Sequence, residues 1–349
     1  MTIKDENQKT IYLVTGVAGN LGSSVAAKLL EEGKKVRGLV LKGDPAAARV
    51  PHAVEICMGD VTDPESLERF FSTESEAEII VIHSAAVVTV NPAYNPKVYD
   101  VNVAGTKNIL NACAAHKVKK LVYVSSTGAI PELPEGMPIT EISVFNPNNV
   151  VGFYGQTKAM ATQAVLDAVR EQNLDASIVF PTGICGPDDY AFGPVASFIM
   201  EYCAGKMPCG MEGSFNAVDA RDLANAIVTC CEKGRKGEGY ILGNECVSMR
   251  QMFQLLSELT GAKEVKTILP IPIAKLVGKL SDLSAKMTGK PAVMTSFAVY
   301  NLVRNNVFDC SKAKRDLDYH TRPFSETMKD TIDWLKREGK IPLPSAACQ

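Results

Sequence analysis

Thr10-Ile11-Tyr12-Leu13-Val14-Thr15 runs directly into Gly16-Val17-Ala18-Gly19-Asn20-Leu21-Gly22. The first six residues are a largely apolar run of strand length. Beyond the glycines, Leu21, Val25, Leu29 and Leu30 recur at helical spacing, which predicts a helix over Asn20–Glu32. Strand, glycine loop and helix in that order have a physical use. Glycines at 16, 19 and 22 permit a tight turn with φ > 0, approach of a pyrophosphate to bare backbone, and close packing of helix on strand. The first turn of the helix, at Asn20, Leu21 and Gly22, then aims free N–H groups at the phosphates. The spacing is Gly-x-x-Gly-x-x-Gly, not the commoner Gly-x-Gly-x-x-Gly. A glycine-rich connection with no ligand is the plain alternative.

Outward from this unit, strands and helices alternate. Strands are expected at Lys35–Leu41, Val54–Met58, Glu78–His83, Lys120–Ser125 and Ala176–Val179. Helices are expected from Asp63-Pro64 to Phe71, over Val98–His116 and over Ala159–Gln172. Apolar strands in such alternation predict an α/β fold, a parallel sheet covered on both faces. Past residue 185 the rhythm changes. Helices are expected at Arg221–Glu232, Met249–Thr260, Ile273–Thr288 and Phe324–Glu338, with a short strand at Gly239–Leu242. The expected organisation is a dinucleotide domain over 1–185, to which 214–245 partly returns, and a smaller, mostly helical part over 186–349.

Composition excludes several classes. The chain has 349 residues, 46% of them hydrophobic, and a formal net charge of -2. Nothing there calls for nucleic acid or an acidic membrane surface as a partner. The ten cysteines are scattered without a Cys-x-x-Cys, and the four histidines lack His-x-x-x-His. Reduced thiols and no metal site are expected. The polar start, Met1 to Lys9, is unlike a signal peptide, and no apolar run has the length of a membrane span. A cytoplasmic protein with no integral membrane segment is expected.

Tyr154-Gly155-Gln156-Thr157-Lys158 places Tyr and Lys at i and i+4, one face of a helix. An ammonium beside a phenol stabilises the phenolate and lowers its pKa. Such a tyrosine exchanges a proton with a carbonyl or alcohol oxygen. The pair follows the fifth strand, where α/β sheets present ligands. That strand ends Ser125-Ser126-Thr127, hydroxyls able to bond a reacting oxygen or merely cap a turn. His83 at the end of the fourth strand is read as a satisfied core histidine rather than a base. Small residues Ala85 and Ala86 after it leave room for a flat cofactor. The second strand ends Val40-Leu41-Lys42 without an acid. Lys42 can meet a 2′-phosphate, which favours NADP and leaves NAD open; a solvated loop charge is the plain alternative.

Thr15-Gly16-x-x-Gly19-x-x-Gly22, Gly59-Asp60-Val61, His83-x-Ala85-Ala86, Asn102-Val103-x-Gly105-Thr106, Ser125-Ser126, Tyr154-x-x-x-Lys158 and Pro181-Thr182-Gly183-Ile184-x-Gly186-Pro187 together resemble the extended short-chain dehydrogenase/reductases. The similarity spans roughly 10–340. It implies a Rossmann-type doubly wound sheet with a C-terminal substrate-binding part. It implies Ser126 as the group polarising the substrate oxygen, Tyr154 as acid/base, and Lys158 as tuning Tyr154 while holding the nicotinamide ribose. It places Asp60 and Val61 at the adenine, and Pro181, Gly183 and Ile184 beside the nicotinamide amide. Phe180-Pro181-Thr182-Gly183 and the tail Val307-Phe308-Asp309-x-Ser311-Lys312-Ala313 look like the dihydroflavonol reductase and 3β-hydroxysteroid dehydrogenase branch. The chain departs from it at Leu41, where the reductases commonly place Arg, and at Phe180, which replaces a common Arg.

The expected reaction interconverts a ketone and a secondary alcohol. Val88, Thr89, Ser126, Thr127 and Tyr154 are the expected substrate contacts. Further lining is sought in Val87–Thr89, Gly128–Val151, Pro187–Phe198 and Ile271–Phe297, which are apolar and poor in arginine. A sugar diphosphate calls for Arg or Lys, so an apolar cyclic substrate, steroid- or flavonoid-like, is favoured. Ile273–Thr288 is amphipathic, with Leu276, Leu280 and Leu283 against Lys275, Lys279 and Lys286. It reads as a surface helix, with a lid or a membrane-surface contact as alternatives. Two rivals stand: a sugar-nucleotide epimerase or dehydratase recycling NAD, and a non-enzymatic dinucleotide sensor. A homodimer is compatible with all of these.

Overall fold

β1 (Thr10–Thr15), β2 (Lys35–Val40), β3 (Glu55–Met58), β4 (Glu78–His83), β5 (Lys120–Val124), β6 (Ala176–Pro181) and β10 (Gly239–Leu242) form one seven-stranded sheet. The computed structural model describes residues 9–73, 77–288 and 295–342. Strand order is β10-β6-β5-β4-β1-β2-β3, and every pairing is parallel. Order reverses between β1 and β4, which pair with Thr15 opposite His83. Ligands of open parallel sheets bind outside the carboxyl ends of the strands at such a switch point.

The helices covering the sheet are α1 (Asn20–Glu31), α2 (Pro64–Phe71), α3 and α4 (Phe153–Glu171). α3 is composite: Pro96–Tyr99, a π-helical stretch over Asp100–Gly105, then Thr106–Ala115. The expected uninterrupted helix over Val98–His116 is therefore corrected. An added Cβ at Gly105 would lie 2.7 Å from Val61 Cγ2, so this crossing is too close for a side chain there. The helix that carries Tyr154 and Lys158 also starts earlier than its apolar spacing predicts. Gly152, at φ 87, turns the chain into α4, and the Phe153 N–H donates to the Pro92 carbonyl at 3.2 Å. Tyr154 and Lys158 thus both lie within α4.

A short second sheet, β11-β9-β7, is built from β7 (Gly183–Cys185), β9 (Ser214–Asp219) and β11 (Cys246–Ser248). β8 (Gly210–Met211) pairs with β12 (Ile268–Leu269). Around them lie α5 (Pro194–Cys203), α7 (Met249–Thr260), α8 (Ile271–Thr288), α9 (Ser296–Val303) and α11 (Phe324–Arg337), whereas α6 (Ala220–Lys233) and α10 (Ser311–Leu317) pack back on the seven-stranded sheet. α5, α9 and α10, of 10, 8 and 7 residues, are absent from the sequence expectations, being shorter than the window of about 11–18 residues over which helical periodicity is read. The main core clusters on the seven-stranded sheet. A second is built on Phe253, Phe324, Met328 and Trp334. Tyr190 and Phe192, in a stretch expected to line the substrate, instead pack on Trp334 with ring centroids 5.3 and 5.8 Å away. Every described cysteine is a free thiol.

Candidate active site

The glycine loop leaves β1 through Gly16 at φ 70. An added Cβ at Gly16 would lie 2.9 Å from the Ala85 backbone, so β1 and the segment after β4 touch main chain to main chain. At Gly22 it would fall 2.1 Å from the Gly16 carbonyl oxygen. Gly19 differs: it is exposed, has φ -80, and meets only the Gly16 oxygen at 3.3 Å. Gly19 caps α1 without a side-chain bond, and no acid occupies the first turn. The positive end of the helix dipole is therefore unneutralised. Asn20 Oδ1 is buried there without a partner, as is Thr182 Oγ1. Orphaned buried polar atoms call for a ligand or water. A bare glycine cradle and a helix start without a side-chain cap fit the anionic diphosphate of a dinucleotide, and the orphaned Asn20 amide oxygen and Thr182 hydroxyl leave hydrogen bonds for its other polar groups.

The remaining expected cofactor residues are distributed along the same edge. Lys42 is exposed just past β2. Asp60 Oδ1 accepts from the N–H and hydroxyl of Thr62, each at 2.8 Å, while Val61 is buried with its side chain against Gly105. Ala85 and Ala86 are half-buried. Pro181 ends β6, and Gly183 and Ile184 open β7, exposed and half-buried respectively.

His83 is held in the core at 1% exposure. The Thr106 hydroxyl donates to the Asn102 carbonyl at 2.7 Å, which leaves it to accept from His83 Nε2–H at 3.0 Å. Thr15 Oγ1 accepts from the Ala85 N–H and donates to His83 Nδ1 at 2.7 Å. Both ring nitrogens are satisfied in one neutral tautomer. Burial, with the Lys158 charge nearby, lowers the imidazole pKa to about 3. His83 is a structural residue.

Three consecutive residues after β5 divide their tasks. Ser125 is buried and bonds Thr162 Oγ1 at 2.6 Å, and that hydroxyl donates to the Lys158 carbonyl. Thr127 is buried too and donates to the Pro181 carbonyl at 3.2 Å, tying β5 to β6. Its expected substrate contact is thus turned inward. Ser126 alone is half-buried; its Oγ accepts from the Gly128 N–H at 3.1 Å, which leaves its proton to give. The Ser126 hydroxyl interacts with the Tyr154 phenol and pulls its pKa down, but burial outweighs this and holds it at about 12.

Lys158 is 2% exposed. Its Nζ donates to the Val124 carbonyl at 2.7 Å and sits 4.4 Å from the Tyr123 ring centroid. Burial lowers its pKa to about 7. In the chain alone the expected depression of the Tyr154 pKa is therefore reversed: desolvation acts on both partners, and the ammonium is spent on a carbonyl.

Asn102 belongs to this site although the sequence marks it only as a motif member. Its Oδ1 accepts from the Val87 N–H, and its Nδ2 donates to the Val87 carbonyl and to Thr157 Oγ1 at 3.1 Å. Thr157 in turn donates to the Tyr154 carbonyl. One side chain braces the loop after β4 against the start of α4. That loop carries Val88, 64% exposed, and Thr89, whose hydroxyl accepts from the Asn91 N–H. Among the described residues no group of His, Cys, Asp and Glu is arranged to hold a metal ion.

A model of the NAD dependent epimerase/dehydratase family matches residues 12–243. Over 334 residues the chain is 29% identical to sterol demethylase protein B of Methylococcus capsulatus, covering 94% of this chain and 99% of that protein. Over 339 residues it is 27% identical to 4-hydroxy-2-methyl-3-oxo-4-farnesyl-3,4-dihydroquinoline-1-oxide ketoreductase of Stigmatella aurantiaca, covering 96% and 99%. The crystal structure of gox2253 superposes with a TM-score of 0.83 at 30% identity, over 95% of this chain and 99% of that one. The matched span contains the glycine loop, Ser126 and the Tyr154–Lys158 helix, and the chain belongs to the NAD dependent epimerase/dehydratase family, as an extended short-chain dehydrogenase/reductase.

Proposed function

We propose that the protein interconverts a ketone and a secondary alcohol on an apolar, cyclic substrate, with NADP as the preferred nicotinamide cofactor. The observation that carries this reading is the placement of Tyr154 beside Ser126 at the carboxyl edge of the sheet, with Lys158 buried one turn on. When bound, the nicotinamide supplies or accepts the hydride. In the reductive direction the Tyr154 hydroxyl gives its proton to the carbonyl oxygen as the carbon is reduced. Ser126, already accepting from Gly128, directs its own proton to the same oxygen and stabilises the charge developing there. Lys158 favours the phenolate left behind once its amine is protonated and near it.

Exposed Lys42, with no acid at the end of β2, supports NADP. The substrate class is supported by the apolar loop after β4 and by the relatives, one named for sterols and one for a farnesylated quinoline ketone. The test is reduced-nicotinamide absorbance with NADPH and NADH against steroid, flavonoid and small-ketone panels. Tyr154→Phe is expected to lower turnover about 10²–10⁴-fold while cofactor affinity is kept. Near-normal turnover by that variant overturns the assignment. Conversion of a sugar nucleotide without net redox change makes the protein an epimerase or dehydratase instead.

A further inference from the structure

α8 presents two apolar faces and uses only one. Ala274 is fully buried, and Gly278 is packed so closely on α9 that an added Cβ would lie 3.1 Å from Ser296 Cα. On the other side Ile273, Leu276, Leu280 and Leu283 repeat at 3-4-3 spacing and are 49%, 58%, 58% and 55% exposed. An ordinary surface helix carries polar residues there. Lys275 and Lys279 are exposed along one flank of the stripe. Of the neighbouring acids, Glu132 accepts from the Tyr300 hydroxyl and the Asn305 N–H, and Asp282 from the Ser296 N–H. Lys275 and Lys279 also border a groove of about 420 Å³ that Arg304, Tyr300 and Glu132 line with them, so basic side chains outnumber the one acid there.

This helix is joined to the mouth of the candidate site. Through α9 it leans on the start of the catalytic helix: an added Cβ at Gly152 would lie 2.5 Å from the Phe297 ring. The same helix start is flanked by Tyr94, 69% exposed and 4.9 Å from the Phe153 ring, and by Val151, 55% exposed. Exposed apolar groups thus gather about Gly152–Tyr154 and continue along α8.

We propose that α8 docks the protein on an anionic lipid surface, so that an apolar substrate passes between the bilayer and the Tyr154 site. Leucines flanked by lysines suit the boundary between acyl chains and anionic headgroups. Two-fold pairing of α8 with a second copy sets each lysine flank against its counterpart, so like charges face each other. Among the described residues no helix is long and apolar enough to cross a membrane, so the contact is peripheral. The docking gains its purpose from the apolar-substrate reading above, but it is measured without any substrate.

The full chain is sedimented with vesicles of phosphatidylcholine alone and of phosphatidylcholine with phosphatidylserine. Binding to the anionic vesicles only, weakening as salt rises, is expected. Leu276→Ser/Leu280→Ser and Lys275→Glu/Lys279→Glu should each lower the bound fraction at least about tenfold, with the thermal midpoint and NADPH affinity unchanged. Equal binding to both vesicles, no binding, or binding indifferent to salt overturns the proposal. So does a dimer, seen by light scattering, that the leucine variant converts to monomer. Ketone turnover is assayed separately on water-soluble substrates without lipid, so vesicle binding and the reductase assignment can fail independently.

Discussion

Gly22→Ala tests the close approach on which the cofactor loop depends. In this structure the new methyl would lie 2.1 Å from the Gly16 carbonyl oxygen, 2.7 Å from the Gly16 carbonyl carbon and 2.9 Å from Val17 Cα. Carbon and oxygen settle at about 3.3 Å even in favourable contacts, so about 1 Å must be found. All three obstacles are main chain, and no side chain can rotate away. Overpacking of this kind costs about 1–3 kcal/mol, occasionally more. Alanine returns about 0.5–1 kcal/mol of helix propensity. A net loss of about 1 kcal/mol or more is expected, together with a displaced glycine loop and at least about tenfold weaker cofactor binding. Gly19→Ala is the matched control. Its φ of -80 suits alanine, and its one close neighbour lies at 3.3 Å. Stability should stay within about 1 kcal/mol, while the methyl at the uncapped helix start weakens cofactor binding. Urea denaturation without cofactor and fluorescence titration with NADPH and NADH read the two effects separately. A Gly22→Ala chain as stable as the parent, with unchanged cofactor affinity, refutes the packing account. Undiminished affinity in Gly19→Ala removes the phosphates from the helix start.

Two further outcomes follow from the buried polar groups. Asp219, fully buried, accepts from the Arg221 N–H and guanidinium at 2.7–2.9 Å. Burial raises its pKa, but the bonds and charge of Arg221, with Arg322, outweigh it and leave the carboxyl below the ordinary range. A depressed folded-state pKa contributes stability above the unfolded value, near 3.8, that is lost as pH falls through the folded one. Asp219→Asn should therefore flatten the acid limb of a stability–pH curve. It should cost about 2 kcal/mol at neutral pH, because Arg221 stays partly solvated. His83→Asn should lower stability by about 1–3 kcal/mol through the stranded Thr15 and Thr106 hydroxyls. Both limbs of the pH–rate profile should stay in place; a limb that moves makes His83 a participant in proton transfer.

Ser125-Ser126-Thr127 shows where sequence reading stops. The three hydroxyls are chemically alike, and the family resemblance points to Ser126 without a physical reason; the meeting of β5 with β6 and α4 supplies it by sending Ser125 to Thr162 and Thr127 to Pro181, leaving Ser126 to the site. The same holds for Lys158. Its i+4 spacing from Tyr154 is visible in the chain, but its bond to the Val124 carbonyl and its low pKa come from burial beneath β5. The π-helical stretch that carries Asn102 to Val87 and Thr157 leaves no mark on apolar periodicity. Nor does the contact of Phe297 with Gly152, which joins residues far apart in sequence.

What the sequence by itself determined is local: the β1–glycine loop–α1 unit, the alternation that demands a parallel sheet, and the Tyr154–Lys158 spacing. Each follows from residue order within about one or two turns or a single strand, where backbone geometry alone decides which side chains share a face. The tertiary structure alone decided which polar groups are spent inside the protein, which remain for a ligand, and that α8 keeps one apolar face uncovered. Those outcomes depend on partners distant in the chain, and burial and hydrogen bonding are settled only when the elements pack.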